Sequence, residues 1–167
     1  MEIRDASEGD FPAITAIYNE VLTTSTAIYR DDPTTVEERV NFWRARCARG
    51  YPTLVAHEGR SIAGFASFGD FRSWPGYRYT VEHSVHVDAG RRGSGAGSAL
   101  MKALIARAAL LGKHVMIGGI DAENEASLRF HERLGFQPVA HFREVGFKFD
   151  RYLDLVFVQL LIGNLTE

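Results

Sequence analysis

The residues best suited to chemistry are the run Arg91-Arg92-Gly93-Ser94-Gly95-Ala96-Gly97, which follows a β-type segment and precedes a helical one. Alternate glycines let backbone N–H groups turn inward on an anion, because no Cβ obstructs the approach. The helix starting near Ser98 adds unpaired N–H donors and the positive end of its dipole. A diphosphate is the group that Gly93 to Ser98 would hold. A nucleoside-triphosphate loop needs Lys and then Ser or Thr after its last glycine, whereas here Gly97 is followed by Ser98 and Ala99. The order strand, glycine loop, helix, strand and Asp121 mimics a dinucleotide fold. The glycines, however, run GxGxG rather than GxGxxG, and the loop sits mid-chain after antiparallel strands instead of opening a βαβ unit.

The pattern Arg92-x-x-Gly95-x-Gly97 is similar to the Q/R-x-x-G-x-G/A signature of the GNAT acetyltransferases. Downstream, the run from Asn124 to Phe136 resembles that family's Asn-x-x-Ser, aromatic residue and Leu-Gly-Phe, in the same order and spacing. A narrower resemblance covers nearly the whole chain and is to the phosphinothricin and methionine sulfoximine or sulfone N-acetyltransferases. It is carried by Thr24 to Tyr29, Gly69 to Arg72, Arg78 to Val87, His131 to Phe136, and Gly146 to Lys148 with Tyr152 to Leu155. Two positions depart from the pattern. His86 stands where relatives often carry Tyr, and His131 stands where many other GNAT members place Tyr.

The resemblance implies acetyl-coenzyme A as co-substrate, no metal, and direct attack by an amine in a ternary complex. It assigns Val85, His86 and Val87 to the pantetheine arm, which lies along their strand like an added strand. The Val85 N–H is then the donor facing the thioester oxygen, a role worth about 2.7 to 4 kcal/mol. Arg92, Gly93, Ser94, Gly95, Ala96, Gly97 and Ser98 would hold the diphosphate, with Asn124 and Ser127 completing the coenzyme site. An α-amino group titrates at about 7.7 or above, so a base must remove its proton before attack. Glu82 is the expected base, His83 a weaker alternative, and His131 the expected acid for the departing thiolate. An amino-acid acceptor carries a carboxylate, which an arginine fork matches. Arg72 and Arg78 are the expected partners, with Tyr29, Phe71, Trp74 and Ser84 beside the acceptor. Related enzymes are homodimers with the acceptor site near the subunit boundary, so a dimer is expected, with Lys148 to Leu155 contributing.

These groups need a scaffold. Asp10 to Leu22 reads as a helix capped by Asp10, with Pro12 in its first turn and Ile14, Ile17, Tyr18 and Val21 on one face. Thr35 and Glu38 have capping-box spacing for a second helix, whose apolar face is Val40, Trp43 and Cys47 and whose stop is Gly50. Thr53 to His57 and Ser61 to Phe68 read as a hairpin joined by Glu58, Gly59 and Arg60. Arg78 to Val87 is a longer strand that places Glu82 on the face opposite Val81 and Val85. A helix from Ser98 to Leu111, a strand from His114 to Ile120, a helix from Glu125 to Leu134, and strands near Pro138 to Phe142 and Tyr152 to Leu161 follow. The sum is an α/β domain over residues 1–167, the GNAT fold in the terms of the resemblance, with a mixed central sheet, splayed strands and flanking helices.

Bulk properties narrow the partners. The 167 residues suit a single core, and 46% hydrophobic with 24% charged residues is globular rather than disordered composition. A formal net charge of -2 leaves no basic stripe for nucleic acid. Cys47 is the only cysteine, so no internal disulfide or thiolate zinc cluster forms, and a reducing cytoplasm fits best. The first residues lack a signal-peptide pattern and no window has the length of a membrane span, so a soluble protein acting on a small molecule is expected.

Overall fold

The computed structural model describes residues 1–59 and 61–165. Its centre is one seven-stranded sheet in the order β1-β2-β3-β4-β5-β7-β6. The strands are β1 (Glu2–Asp5), β2 (Thr53–Glu58), β3 (Ser61–Asp70), β4 (Thr80–Val87), β5 (Val115–Asp121), β6 (Gln137–Lys148) and β7 (Arg151–Leu161). Among the described residues only β4 and β5 run parallel, and every other pair is antiparallel. Helices α1 (Phe11–Thr24) and α2 (Val36–Cys47) precede the central strands, α3 (Ala96–Leu110) connects β4 to β5, and α4 (Glu125–Arg133) connects β5 to β6. The expected mixed α/β architecture is therefore the observed one. No helix among the described residues is long and apolar enough to cross a membrane.

Two cores hold the layers together. On one side of the sheet, Leu100, Met101, Leu104 and Ala108 of α3 pack on Ala66, Phe68, Val81 and Met116, all essentially inaccessible. On the other, Phe11, Ile14 and Ile17 of α1 meet Val40, Val55 and Phe65. Each buried Leu or Phe contributes about 1.5–3 kcal/mol relative to exposure, so helix spacing on α1 and α3 decides which way these helices face.

Several local expectations need correction. Asp10 stands at the start of α1, but its side chain makes no cap; it accepts from Arg4 at 2.7 and 2.8 Å, and from the Ser7 N–H. The α2 capping box is present, with Glu38 N–H donating to Thr35 Oγ1 and Thr35 N–H to Glu38 Oε2. Cys47 is exposed rather than core. The reason is that α2 packs against α1 through Val40 and Trp43, the latter 5.1 Å from the Phe11 ring, and its last turn finds no surface to cover Cys47. Strand β1 was not expected, and β6 extends beyond Phe142 to Lys148 across a register shift. Arg60, expected in the β2–β3 connection, lies outside the described residues.

Candidate active site

The site forms where β4 and β5 separate. Their pairing covers only Thr80 with Val115, Val81 with Met116, and Glu82 with Ile117. Beyond Glu82, β4 keeps its pairing to β3 as far as Val87 but has no register with β5. Backbone parity shows which groups face the gap. Tyr79 O accepts from Val115 N–H on the β5 side, whereas Thr80 O accepts from Phe71 N–H and Asp88 N–H donates to Ala63 O on the β3 side. Even-numbered backbone groups of β4 thus point to β3 and odd-numbered ones to β5, since strand groups alternate. The N–H and C=O of Val85 and Val87 therefore open into the gap, available to an added extended chain.

Below that gap lies a cavity of about 490 Å³ lined by Val85, Val87, Arg92, Gly93, Gly95, Ala96, Gly97, Ser98 and Ser127, among others. Gly93 and Gly95 have φ of 79° and 88°, a region costly for residues with a Cβ, and Gly95 is the N-cap of α3 without any side-chain cap. The N–H groups of Gly93, Gly95, Ala96, Gly97 and Ser98 have no backbone acceptor among the described residues, the α3 ladder opening with Ala99 N–H on Gly95 O. Ser94 differs: its N–H returns to Arg91 O at 3.2 Å, and it does not line the cavity. Phe130, Ala126, Arg91 and Arg133 join the wall and were not anticipated.

A second cavity of about 330 Å³ adjoins the first and shares Val85 and Ser127 with it. Its wall brings together the expected Glu82, His83, Ser84, His86, Asn124 and His131. The alternation of β4 sends Glu82, Ser84 and His86 toward α1 and α2, and His83 toward α4. Burial raises the Glu82 pKa above the ordinary carboxylate value, with Arg72 and Arg46 opposing part of the rise. A carboxylate so tuned is better matched to taking a proton from an ammonium group. Asn124 Oδ1 caps α4 by accepting from Ser127 N–H at 3.0 Å.

His131 is placed differently from the expected acid. Its Nδ1 lies 2.7 Å from Ser127 O, and a carbonyl only accepts, so Nδ1 holds the proton and Nε2 keeps a lone pair. Burial lowers its pKa, against the opposing Ser127 carbonyl. The neutral ring therefore offers an acceptor, and serving as acid requires a second proton that burial opposes. His131 stacks on His83 with ring centroids 5.1 Å apart, and among the described residues neither His83 nitrogen has a hydrogen-bond partner.

His83 and His86 give a stability prediction. Burial, then the neighbouring His131, lowers His83 to about 3, and burial, then Arg39, lowers His86 to about 4. Below the unfolded value of about 6.5 the unfolded chain binds protons that the native state refuses, so stability falls with decreasing pH toward those folded values. Each such histidine costs about 1.4 kcal/mol per pH unit in that window. The melting temperature should drop between pH 7 and pH 5, and His83→Leu should flatten the drop. Parallel curves for the two proteins would refute this origin.

The remaining expected residues lie outside the cavity wall. Arg72 is exposed, stacked 4.2 Å over Phe71 and donating to Phe71 O, although its charge reaches Glu82. Arg78 donates to Pro75 O and lies over Tyr79, and Trp74 is 74% exposed. Phe71 packs on Tyr77 and Phe157. Tyr29 donates to Asp154 O at 3.3 Å, and its pKa is pushed up to about 12 by burial and then by Asp121 and Asp154. Lys148, expected at a subunit boundary, is buried and donates to Ser25 O and Ile28 O, which staples the loop after α1. That loop supplies Ala27 and Ile28 to the wall, and Thr26 bonds Asp121 of β5 across the cavity edge. Sequence reasoning also missed Tyr18, Arg39, Phe42 and Arg46.

Comparison with known proteins gives the family of the chain. The acetyltransferase (GNAT) family model matches residues 14–136. An L-methionine sulfoximine/L-methionine sulfone acetyltransferase of Salmonella typhimurium is 47% identical over 164 residues, covering 98% of this chain and 96% of the relative. The L-amino acid N-acyltransferase MnaT of Escherichia coli is 45% identical over 167 residues, covering 100% and 97%. A solved acetyltransferase structure from Salmonella typhimurium, with its cofactor acetyl-CoA, superposes with a TM-score of 0.94 at 46% identity, covering 96% of this chain and 93% of that one. The chain belongs to the GNAT acetyltransferase family.

Proposed function

We propose that the protein transfers acetyl from acetyl-coenzyme A to the α-amino group of a small amino acid or analogue of the methionine sulfone, methionine sulfoximine or phosphinothricin kind. The observation that carries this reading is the meeting of two cavities at Val85: a coenzyme cradle on one side and a small chamber holding Glu82 on the other. Of the relatives named above, one is named for L-methionine sulfoximine and L-methionine sulfone and another for L-amino acids.

The diphosphate sits on the amides of Gly93 and Gly95 to Ser98, drawn by converging N–H groups and the α3 dipole. The pantetheine arm lies along Val85 to Val87, and the Val85 N–H meets the thioester oxygen, where charge develops during attack. Glu82 takes a proton from the acceptor's ammonium, directly or through water; the freed amine attacks the thioester carbon, collapse expels the thiolate, and the second proton, left on the nitrogen of the new amide, passes to solvent. That thiolate is a tolerable leaving group, since a free thiol titrates near ~8.5. Solvent therefore supplies its proton, in keeping with the neutral His131. Binding and orientation do the work, and no covalent enzyme intermediate or metal enters the scheme. Homodimer formation is part of the proposal, supported by the exposed apolar side chains Val145, Phe147, Phe149 and Tyr152 along the β6–β7 hairpin.

The test is coenzyme A thiol release from acetyl-coenzyme A across a panel of amino acids, with the product identified by mass. Release with L-methionine sulfone or L-methionine sulfoximine and N-acetylation of the α-amine is expected. Release only with polyamines, or none with any acceptor, would replace this reading with transfer to another amine or a non-catalytic sensor of acyl-coenzyme A.

A further inference from the structure

Two arginines in the wall of the acceptor cavity have no use in the scheme above. Arg39 and Arg46 stand seven residues apart on α2, two helical turns, and so share a face. Phe42 lies between them, with the Arg39 and Arg46 guanidinium carbons 5.2 and 4.4 Å from its ring centroid. Both are half-buried, and among the described residues neither forms an ion pair with a carboxylate. Arg39 is stacked 4.3 Å over Tyr18 as well as on Phe42, and among the described residues its buried Nε has no hydrogen-bond partner. Arg46 makes one hydrogen bond, from Nη1 to Ser67 Oγ at 2.8 Å, and its other nitrogen lies over Gly69, where a Cβ would come within 3.0 Å. The absence of a side chain at Gly69 leaves the guanidinium room against β3.

Holding two cations half out of water beside each other is unfavourable unless an anion joins them. The charges feel one another, and Glu82, then Asp70 and Tyr51, offset only part of the cost to Arg46, whose pKa falls to about 10 chiefly through burial and then through Arg39. We propose that Arg39 and Arg46 form the seat for the acceptor's carboxylate and so select amino acids over amines that lack one. This inference rests on the proposed amino-acid acceptor and adds to it the groups that recognise the acid. An α-carboxylate is attached to the carbon that bears the amine, so seating it beside Arg46 brings the amine to Glu82. A planar guanidinium presents paired donors to two carboxylate oxygens, which an ammonium does not. A polyamine would bring a second cation against two that have no ion pair among the described residues and is repelled. Arg72 and Arg78, the arginines expected for this task, are exposed and bonded to their own loop.

The experiment compares kcat/KM for L-methionine sulfone with that for 3-(methylsulfonyl)propan-1-amine, which keeps the side chain and the amine but has no carboxylate. Wild type should favour the acid. Arg39→Gln and Arg46→Gln should each cut that preference about 10- to 100-fold through the KM of the acid, the loss expected for a charge-assisted hydrogen bond. Arg46→Lys should restore only part of it, because the fork is lost while the charge stays. Since Arg46 also anchors Ser67, its loss can loosen α2; Arg39, whose side chain makes no hydrogen bond or ion pair among the described residues, is the independent arm. Equal use of acid and amine by wild type, or an unchanged preference in folded Arg39→Gln, overturns the seat while leaving acetyl transfer intact. If wild type acetylates neither compound, calorimetry with L-methionine sulfone decides. Binding weakened by Arg39→Gln upholds the seat and removes the transfer reading, whereas absent or undiminished binding removes both.

Discussion

Glu82→Gln should lower kcat/KM for an amino-acid acceptor about 100- to 10,000-fold, the range that a positioned base contributes, while leaving the affinity for acetyl-coenzyme A close to that of wild type. The amide keeps the volume and the cavity wall but cannot take a proton. The α-ammonium, mostly protonated at neutral pH, then waits on solvent for deprotonation. The wild-type pH profile carries a second signature. Because burial holds the carboxyl above its ordinary value, the acid limb of kcat/KM should fall above about 4.3, the reference for a free Glu, and the limb should be absent from the residual activity of the variant. Equal turnover by both proteins at pH 7 would take Glu82 out of the reaction.

Gly95→Val should weaken acetyl-coenzyme A binding by more than about tenfold, the consequence of roughly 1–2 kcal/mol of left-handed backbone strain on a residue with a Cβ. An added Cβ at Gly95 meets nothing within 4 Å, so the effect does not come from a clash of that atom. It comes from φ of 88°, which a β-branched residue escapes by rotating the loop and turning the amides of Ala96 to Ser98 off their common target. Since the loop is exposed and its side chain would be solvated, the melting temperature of the free protein should move little by comparison. A variant that binds as tightly as wild type would show that the loop tolerates another backbone.

The parts of this site legible in sequence are those where a backbone requirement restricts residue type. Gly93 and Gly95 announce their positive φ by being glycine, and Gly50, Gly112 and Gly135, where helices stop, do the same. Glu82 was visible because a carboxylate interrupts a β-rich run whose period sends it to one face. Where burial of charge decides the structure, the pattern misleads. On α2 the apolar spacing of Val40, Trp43 and Cys47 suggested one core face, yet the helix turns Arg39, Phe42 and Arg46 to a cavity and leaves Cys47 outside. The recurrence of Arg at a seven-residue spacing around an aromatic was the available signal. Short β1 escaped because Glu2-Ile3-Arg4-Asp5 has a single apolar residue, and its strand character comes from pairing with β2. The β6–β7 turn escaped because Phe149 and Asp150 adopt φ of 51° and 56° without the glycine or asparagine that usually marks a two-residue hairpin. Arg72 failed to reach the wall for a local reason: its own Phe71 ring and carbonyl satisfy the guanidinium first.

Everything proposed for this protein depends on the loop amides gripping the diphosphate so that a thioester arrives beside Val85 and Glu82. Calorimetric titration of wild-type protein with acetyl-coenzyme A and with acetyl-pantetheine, which carries the same thioester and arm but neither diphosphate nor nucleotide, measures that grip. Acetyl-coenzyme A should bind at least about a hundredfold more tightly, as expected for two or more charge-assisted hydrogen bonds to the phosphates. Equal affinities, or no binding of acetyl-coenzyme A, would contradict the account.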